Sequence, residues 1–138
     1  MSVELNKAKA RQVAEEGFDN TSLASELFAP ELIIHTPSGD IPGPEGWVTL
    51  CNVYKSAFPD FHMVVEDVFG EGVLVALVAV SSGTFENEFM GIAPTGKTFE
   101  LRTASVSRHR EDGKHVEITQ YFDTSSFYQQ LGINLTSQ

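Results

Sequence analysis

The stretch Arg108–Gly132, RHREDGKHVEITQYFDTSSFYQQLG, decides the fold, because it holds a hairpin turn, a long strand, a carboxylate at that strand's end and a closing helix. In Glu111-Asp112-Gly113-Lys114 the Asp-Gly pair tolerates the positive φ that a tight hairpin demands, which predicts antiparallel strands over Lys97–Arg110 and His115–Asp123. Thr124 or Ser125 can cap the helix that follows, and Gly132, just past Gln129-Gln130-Leu131, reads as its stop. Asp123 thus falls where a strand meets a helix N-terminus. The residues alone leave two readings of it open, a capping carboxylate and a functional one.

Upstream of this stretch the apolar pattern alternates. Phe61, Met63, Val65 and Phe69 oppose His62, Val64, Glu66 and Val68, as in a strand with one apolar face. After Gly70-Glu71-Gly72 comes VLVALVAVSSGTFENEF, too apolar for a strand with one wet face and therefore central in the sheet. Met90–Gly96 connects it to the next strand. Further towards the N-terminus the period becomes helical. Ala10, Val13, Ala14 and Phe18 mark a first helix over Val3–Phe18, and Leu23, Leu27 and Phe28 mark a short second one that Pro30 ends. Glu31–Thr36 (ELIIHT) is a short strand and Pro37–Gly43 a loop. A third helix starts near Pro44 with Trp47, Leu50, Cys51, Tyr54, Ala57 and Phe58 on one face. Helices gathered ahead of a long antiparallel meander predict a single α+β domain, with the sheet curled around the helices and a pocket wherever they cover its concave face incompletely.

Composition narrows the function. Nine Lys and Arg against 19 Asp and Glu give a net charge of −10, which repels nucleic-acid backbones and anionic membrane surfaces. No run of apolar residues is long enough to span a bilayer and the N-terminus lacks the order of a secretory signal, so the expected location is the cytoplasm. The single cysteine, Cys51, shares the apolar helix face and reads as core. The four histidines form no pair at metal-ligand spacing, and no glycine opens a helix after a strand as a phosphate loop would, so neither metal nor nucleotide cofactor is expected.

Several local motifs, in this order, resemble those of the SnoaL-like polyketide cyclase family, within the nuclear-transport-factor-like superfamily of cone-shaped α+β barrels. They are IIHTP (Ile33–Pro37) with Gly43 after it, FPDFH (Phe58–His62), SGTFENEFMGIAPTGK (Ser82–Lys97), EDGK (Glu111–Lys114), and Asp123 followed by QQLG (Gln129–Gly132). The resemblance implies a cone-shaped barrel with a central pocket, pairing through the sheet, and cofactor-independent acid/base chemistry. It also implies that Asp123 is the acid/base group of an aldol-type ring closure, assisted by a histidine on the preceding strand, for which His109 is the match. Relatives often carry a bulky aromatic four residues before the aspartate, where this chain has Thr119.

Such a ring closure needs a base for a C–H proton acidified by flanking carbonyls, then an acid for the new alkoxide. Alternation puts Glu117, Thr119, Tyr121 and Asp123 on one strand face, so a cavity-facing Asp123 brings Thr119 and Tyr121 with it. His35 is a further candidate beside its reading as a packed or rim histidine. His62 reads as a packing or subunit-contact residue, and His115, just after the turn, as solvated. Arg102 either orients an anionic substrate or pairs with Glu100 or Glu117. Trp47, Tyr54, Phe85 and Phe89, with Phe99 and Tyr121, are the aromatic candidates for a lining. The expected ligand is a small apolar, carbonyl-bearing metabolite. The alternatives are a hydrolase or isomerase on the same fold and a non-catalytic binding scaffold. The half-apolar strand Phe61–Phe69 and the run Val73–Val80 leave more apolar surface than short helices cover, which predicts a homodimer or higher oligomer.

Overall fold

The computed structural model describes residues 2–133. Its order is α1 (Val3–Glu16), a 3-10 turn (Thr21–Leu23), α2 (Ala24–Leu27), β1 (Phe28–Thr36), β2 (Gly39–Pro42), α3 (Gly43–Ala57), β3 (His62–Glu71), β4 (Leu74–Thr84), β5 (Thr98–His109), β6 (His115–Tyr121) and α4 (Thr124–Gln130). The strands form one six-stranded sheet in the order β2-β1-β6-β5-β4-β3. All neighbours are antiparallel except β1 and β6, which run parallel, so the sheet is mixed rather than a pure meander. It is curled but not closed, with β2 and β3 at its edges.

Several segments depart from the sequence reading: Phe28–Pro30, expected as the end of the second helix, open β1, and β4 stops at Thr84 rather than running on to Phe89. Gly39–Pro42, expected in a loop, pairs antiparallel with β1 from Ile33↔Pro42 to Thr36↔Gly39, because β1 otherwise offers an unpaired edge. In β3 the register shifts between Val65 and Asp67. That bulge sends Val68 to the concave side and Phe69 to the convex side, where Phe69 is 60% exposed, so the expected alternation holds only up to Val65.

The β5–β6 turn forms as its chemistry requires. Gly113 has φ 88° and donates its N–H to the Arg110 carbonyl, while the Asp112 carboxylate accepts from Lys114 N at 3.0 Å. The Arg110 guanidinium beside Asp112 holds that carboxyl down to about 2. Helix α1 is capped by Ser2, which accepts from Leu5 N, and ends at Gly17. A Cβ at Gly17 would stand 2.6 Å from the Trp47 ring, so glycine lets the end of α1 close down on α3.

The apolar side chains form three clusters rather than one. Leu27, Phe28, Leu32, Ile34, Trp47, Cys51 and Ile118 pack where α2 and α3 meet β1 and β6. Phe58, Phe61, Phe85, Phe89, Phe99 and Phe127 make an aromatic cluster at the α4 end. Ala10 of α1 sits on Val75, Leu77 and Ala79 of β4. No described helix is long and apolar enough to cross a membrane.

Candidate functional site

The space between these three clusters is a cavity of about 110 Å³ under α1 and α3, on the concave face of the sheet. Its helix side is apolar, with Ala10, Val13, Ala14, Trp47 and Leu50. Its sheet side carries Ser81, Thr103, Ser105, Ser107 and Gln120 among apolar residues. Thr103, Ser105 and Ser107 are alternate residues of β5, and Ser105 lies directly opposite Gln120 of β6. Among the described residues the titratable side chains in the lining are Tyr54 and His115, and none is a carboxylate.

His115 is 1% exposed, not solvated as its place after the turn suggested, because the hairpin packs back onto the α2–β1 junction. Its Nδ1 lies 3.0 Å from the Leu27 carbonyl oxygen. A carbonyl only accepts, so Nδ1 carries the hydrogen and Nε2 keeps its lone pair. Burial, with the neighbouring His109 adding to it, pushes the pKa of His115 down to about 3.

His109 packs on it with ring centroids 4.2 Å apart. The His109 Nδ1 donates to the Gly113 carbonyl at 2.8 Å, so its Nε2 is the acceptor for the Ser107 hydroxyl, also at 2.8 Å. Burial lowers the His109 pKa as well. A serine of the cavity wall thus leans on a neutral histidine behind it. Tyr54 makes edge and tilted contacts with Phe18, Phe61 and Phe89. Burial, then the nearby Tyr128, pushes its phenol up to about 12, so it stays a hydrogen-bond donor.

The residues expected around Asp123 lie elsewhere. The β5–β6 register pairs Ser107 with Ile118 and Ser105 with Gln120 on the cavity side, which turns Glu117, Thr119, Tyr121 and Asp123 outward. Asp123, not Thr124 or Ser125, is the N-cap of α4, and its Oδ1 accepts from Ser126 N at 3.0 Å. It is exposed and borders an open groove with His35, Thr36, Pro37, Thr119 and Tyr121. Gln120 and Phe122 line both groove and cavity and so form the wall between them.

His109 cannot assist Asp123, because it pairs with His115 at the opposite end of β6. His35 is held on both ring nitrogens, Nδ1 at 2.8 Å from Asp40 and Nε2 at 2.8 Å from Glu117. Those two carboxylates, Asp40 first, raise its pKa, and His35 in turn is the main cause that lowers Glu117, with Arg108 adding to it. It ties the β1–β2 hairpin to β6. Arg102 lies outside on the convex face in a two-pronged pair with Glu66 at 2.8 and 3.2 Å, so it neither reaches the cavity nor pairs with Glu100 or Glu117. Of the aromatic candidates, Trp47, Tyr54 and Phe99 line the cavity, whereas Phe85 and Phe89 are buried within the aromatic cluster and Tyr121 faces the groove. Cys51 is fully buried, with its thiol pushed up to about 12 by desolvation. Among the described residues no group of three or more His, Cys, Asp or Glu could hold a metal ion.

The sequence reading passed over Ser81 and Ser107 and gave Gln120 and His115 no part in a site. The alternating hydroxyls Thr103, Ser105 and Ser107 in an otherwise half-apolar strand were the readable signal, since a curled sheet gives such a row one shared face.

A curled sheet roofed by helices over a mainly apolar cavity defines a class of small pocketed α+β cones. The sequence model of the SnoaL-like polyketide cyclases matches residues 8–131, and the chain belongs to that family. IdmH of Streptomyces antibioticus, a proposed polyketide cyclase, is similar at 34% identity and a TM-score of 0.77, over 93% of this chain and 99% of that one. A proposed SnoaL-like polyketide cyclase of Jannaschia sp. CCS1 has the same fold at 20% identity and a TM-score of 0.86, over 95% and 94% of the two chains. So does a protein of ketosteroid isomerase-like fold from Catenulispora acidiphila, at 19% identity and a TM-score of 0.76, over 94% and 96%. No curated protein matches the chain by sequence.

Proposed function

We propose that the protein is a cytoplasmic, cofactor-independent enzyme of cyclase type that holds an apolar, carbonyl-bearing metabolite in the cavity under α1 and α3 and acts on it by acid/base chemistry. The observation that carries this reading is the lining itself. An apolar helix wall faces a sheet wall of hydroxyls and one amide, and a single imidazole stands at one end. In an aldol closure the His115 Nε2 takes the acidified C–H proton and the resulting imidazolium returns it to the alkoxide. Burial makes that imidazolium unstable alone, so the transfer proceeds only as enolate charge develops beside it. The Tyr54 phenol, held protonated, donates to a carbonyl of the bound molecule.

A second reading puts the chemistry in the open groove, where Asp123 and His35 converge from opposite parts of the chain. The two separate by experiment. Native mass spectrometry of protein purified from cells should reveal a retained small molecule that Ala14→Phe, which fills the cavity, no longer carries. With that molecule as substrate, His115→Gln should bind and not convert it, while Asp123→Asn should do both. Conversion by His115→Gln and loss in Asp123→Asn would move the site to the groove.

The same reading includes a homodimer. Val64, Phe69, Leu74 and Val106 are exposed on the convex face, around half-buried Ala76, Val78 and Val80. A second copy of this sheet is the proposed cover.

A further inference from the structure

We propose that Ser81 is the hydrogen-bonding anchor for an oxygen of the bound molecule, at the end of the cavity remote from His115. The proposal rests on the cavity being the ligand site. Ser81 is 4% exposed, lines the cavity and finds no hydrogen-bond partner for its hydroxyl among the described residues. Of the other hydroxyls of the sheet wall, Thr103 bonds the Ala79 carbonyl and Ser107 bonds His109, while Ser105 is only half-buried, so among the described residues Ser81 is the one wall hydroxyl both buried and unpartnered. In register, Ser81 stands between Met63 of β3 and Leu101 of β5, both apolar and both in the lining. On the same face of β4 its neighbours two residues away are Ala79 and Gly83, so a small apolar residue fits this row without difficulty. A hydroxyl buried here without a partner lowers stability relative to alanine, and a ligand oxygen is the group placed to satisfy it.

The spacing adds the shape of the ligand. Ser81 pairs with Leu101, and Ser107, beside the histidines, pairs with Val75, six residues along β4. Six residues of strand span on the order of 20 Å. A molecule that meets Ser81 and also reaches His115 is therefore elongated and apolar along its length, with an acceptor oxygen at the end away from the reacting carbons.

The test uses an isosteric pair, 2-nonanone and 2-methyl-1-nonene, which differ by a carbonyl oxygen against a methylene. Binding is followed by the fluorescence of Trp47, the single tryptophan, which lines the cavity. The ratio of ketone to alkene affinity is expected to fall about tenfold in Ser81→Ala relative to wild type, as loss of one buried hydrogen bond gives. Ligand-free Ser81→Ala should melt no lower than wild type, whereas a structural hydroxyl would make it melt lower. Saturable binding of both probes with the same affinity ratio in the two proteins would overturn the anchor and leave the cavity reading standing. Failure of wild type to bind either probe would overturn both.

Discussion

His115 gives the protein a calculable acid sensitivity. In the unfolded chain its imidazole titrates at its ordinary value of about 6.5, and in the folded protein burial holds it down to about 3. The depressed group is neutral in both states above the unfolded value. Below it the unfolded chain binds a proton that the folded protein refuses, so stability is lost as pH falls from about 6.5 towards about 3. At pH 5.0 the folded group is still neutral and the unfolded one is about 1.5 pH units below its pKa, so the loss relative to pH 7.5 is about 2 kcal/mol. His109, lowered by its own burial, acts in the same direction. His35 opposes both, because its raised pKa makes the folded protein the better proton binder, and that contribution fades as pH rises through the folded value. Carboxylates such as Asp112 matter only at lower pH. Urea unfolding of wild type and His115→Gln at pH 7.5 and 5.0 isolates the one group, since glutamine keeps an N–H for the Leu27 carbonyl and does not titrate. The drop between the two pH values should be smaller in the variant by about 2 kcal/mol, roughly a 1 M difference in the shift of the urea midpoint. An equal drop in both proteins would mean that His115 is not desolvated, and the buried neutral imidazole would have to be abandoned.

The remaining expectations concern other parts of the molecule. Asp123→Ala should lower stability by about 1 kcal/mol in urea melts through loss of the α4 cap, and Asp123→Asn by much less, since asparagine also accepts from Ser126 N; equal losses would contradict the cap. Val80→Glu, in the middle of the convex face, should turn a dimer into a monomer by light scattering at micromolar concentration, and a monomeric wild type would reject the pairing of sheets. Cys51 should react with a thiol reagent only at the rate of unfolding, because it is fully buried and its thiol is held protonated; rapid labelling of native protein would show an opening between α3 and the sheet.

The course of the chain was legible where one residue dictates a local geometry. Gly113 marked the hairpin and Gly132, with φ 79°, the end of α4. The alternation and helical spacing that placed α1, α3 and the long strands are properties of short windows too. The site was less legible, because it depends on which alternate set of β6 faces inward. Both sets mix polar and apolar residues, and the resemblance pointed to the set containing Asp123. Val116, Ile118 and Phe122 were the more apolar choice, and the register that buries Ile118 turns Gln120 inward and Asp123 out. His115 was misjudged for a different reason. A residue next to a turn reads as solvated, and only the return of the hairpin onto Leu27, 88 positions away in sequence, buries it. The cavity itself is the space left where three clusters from distant segments fail to merge, and no local window contains it. This has a chemical consequence. In the proposed reaction, with no carboxylate among the described lining residues, proton transfer falls to an imidazole and a phenol, and the weak basicity of the buried imidazole requires enolate and imidazolium to form together as a close ion pair. That requirement favours substrates whose C–H is already acidified by carbonyls on both sides.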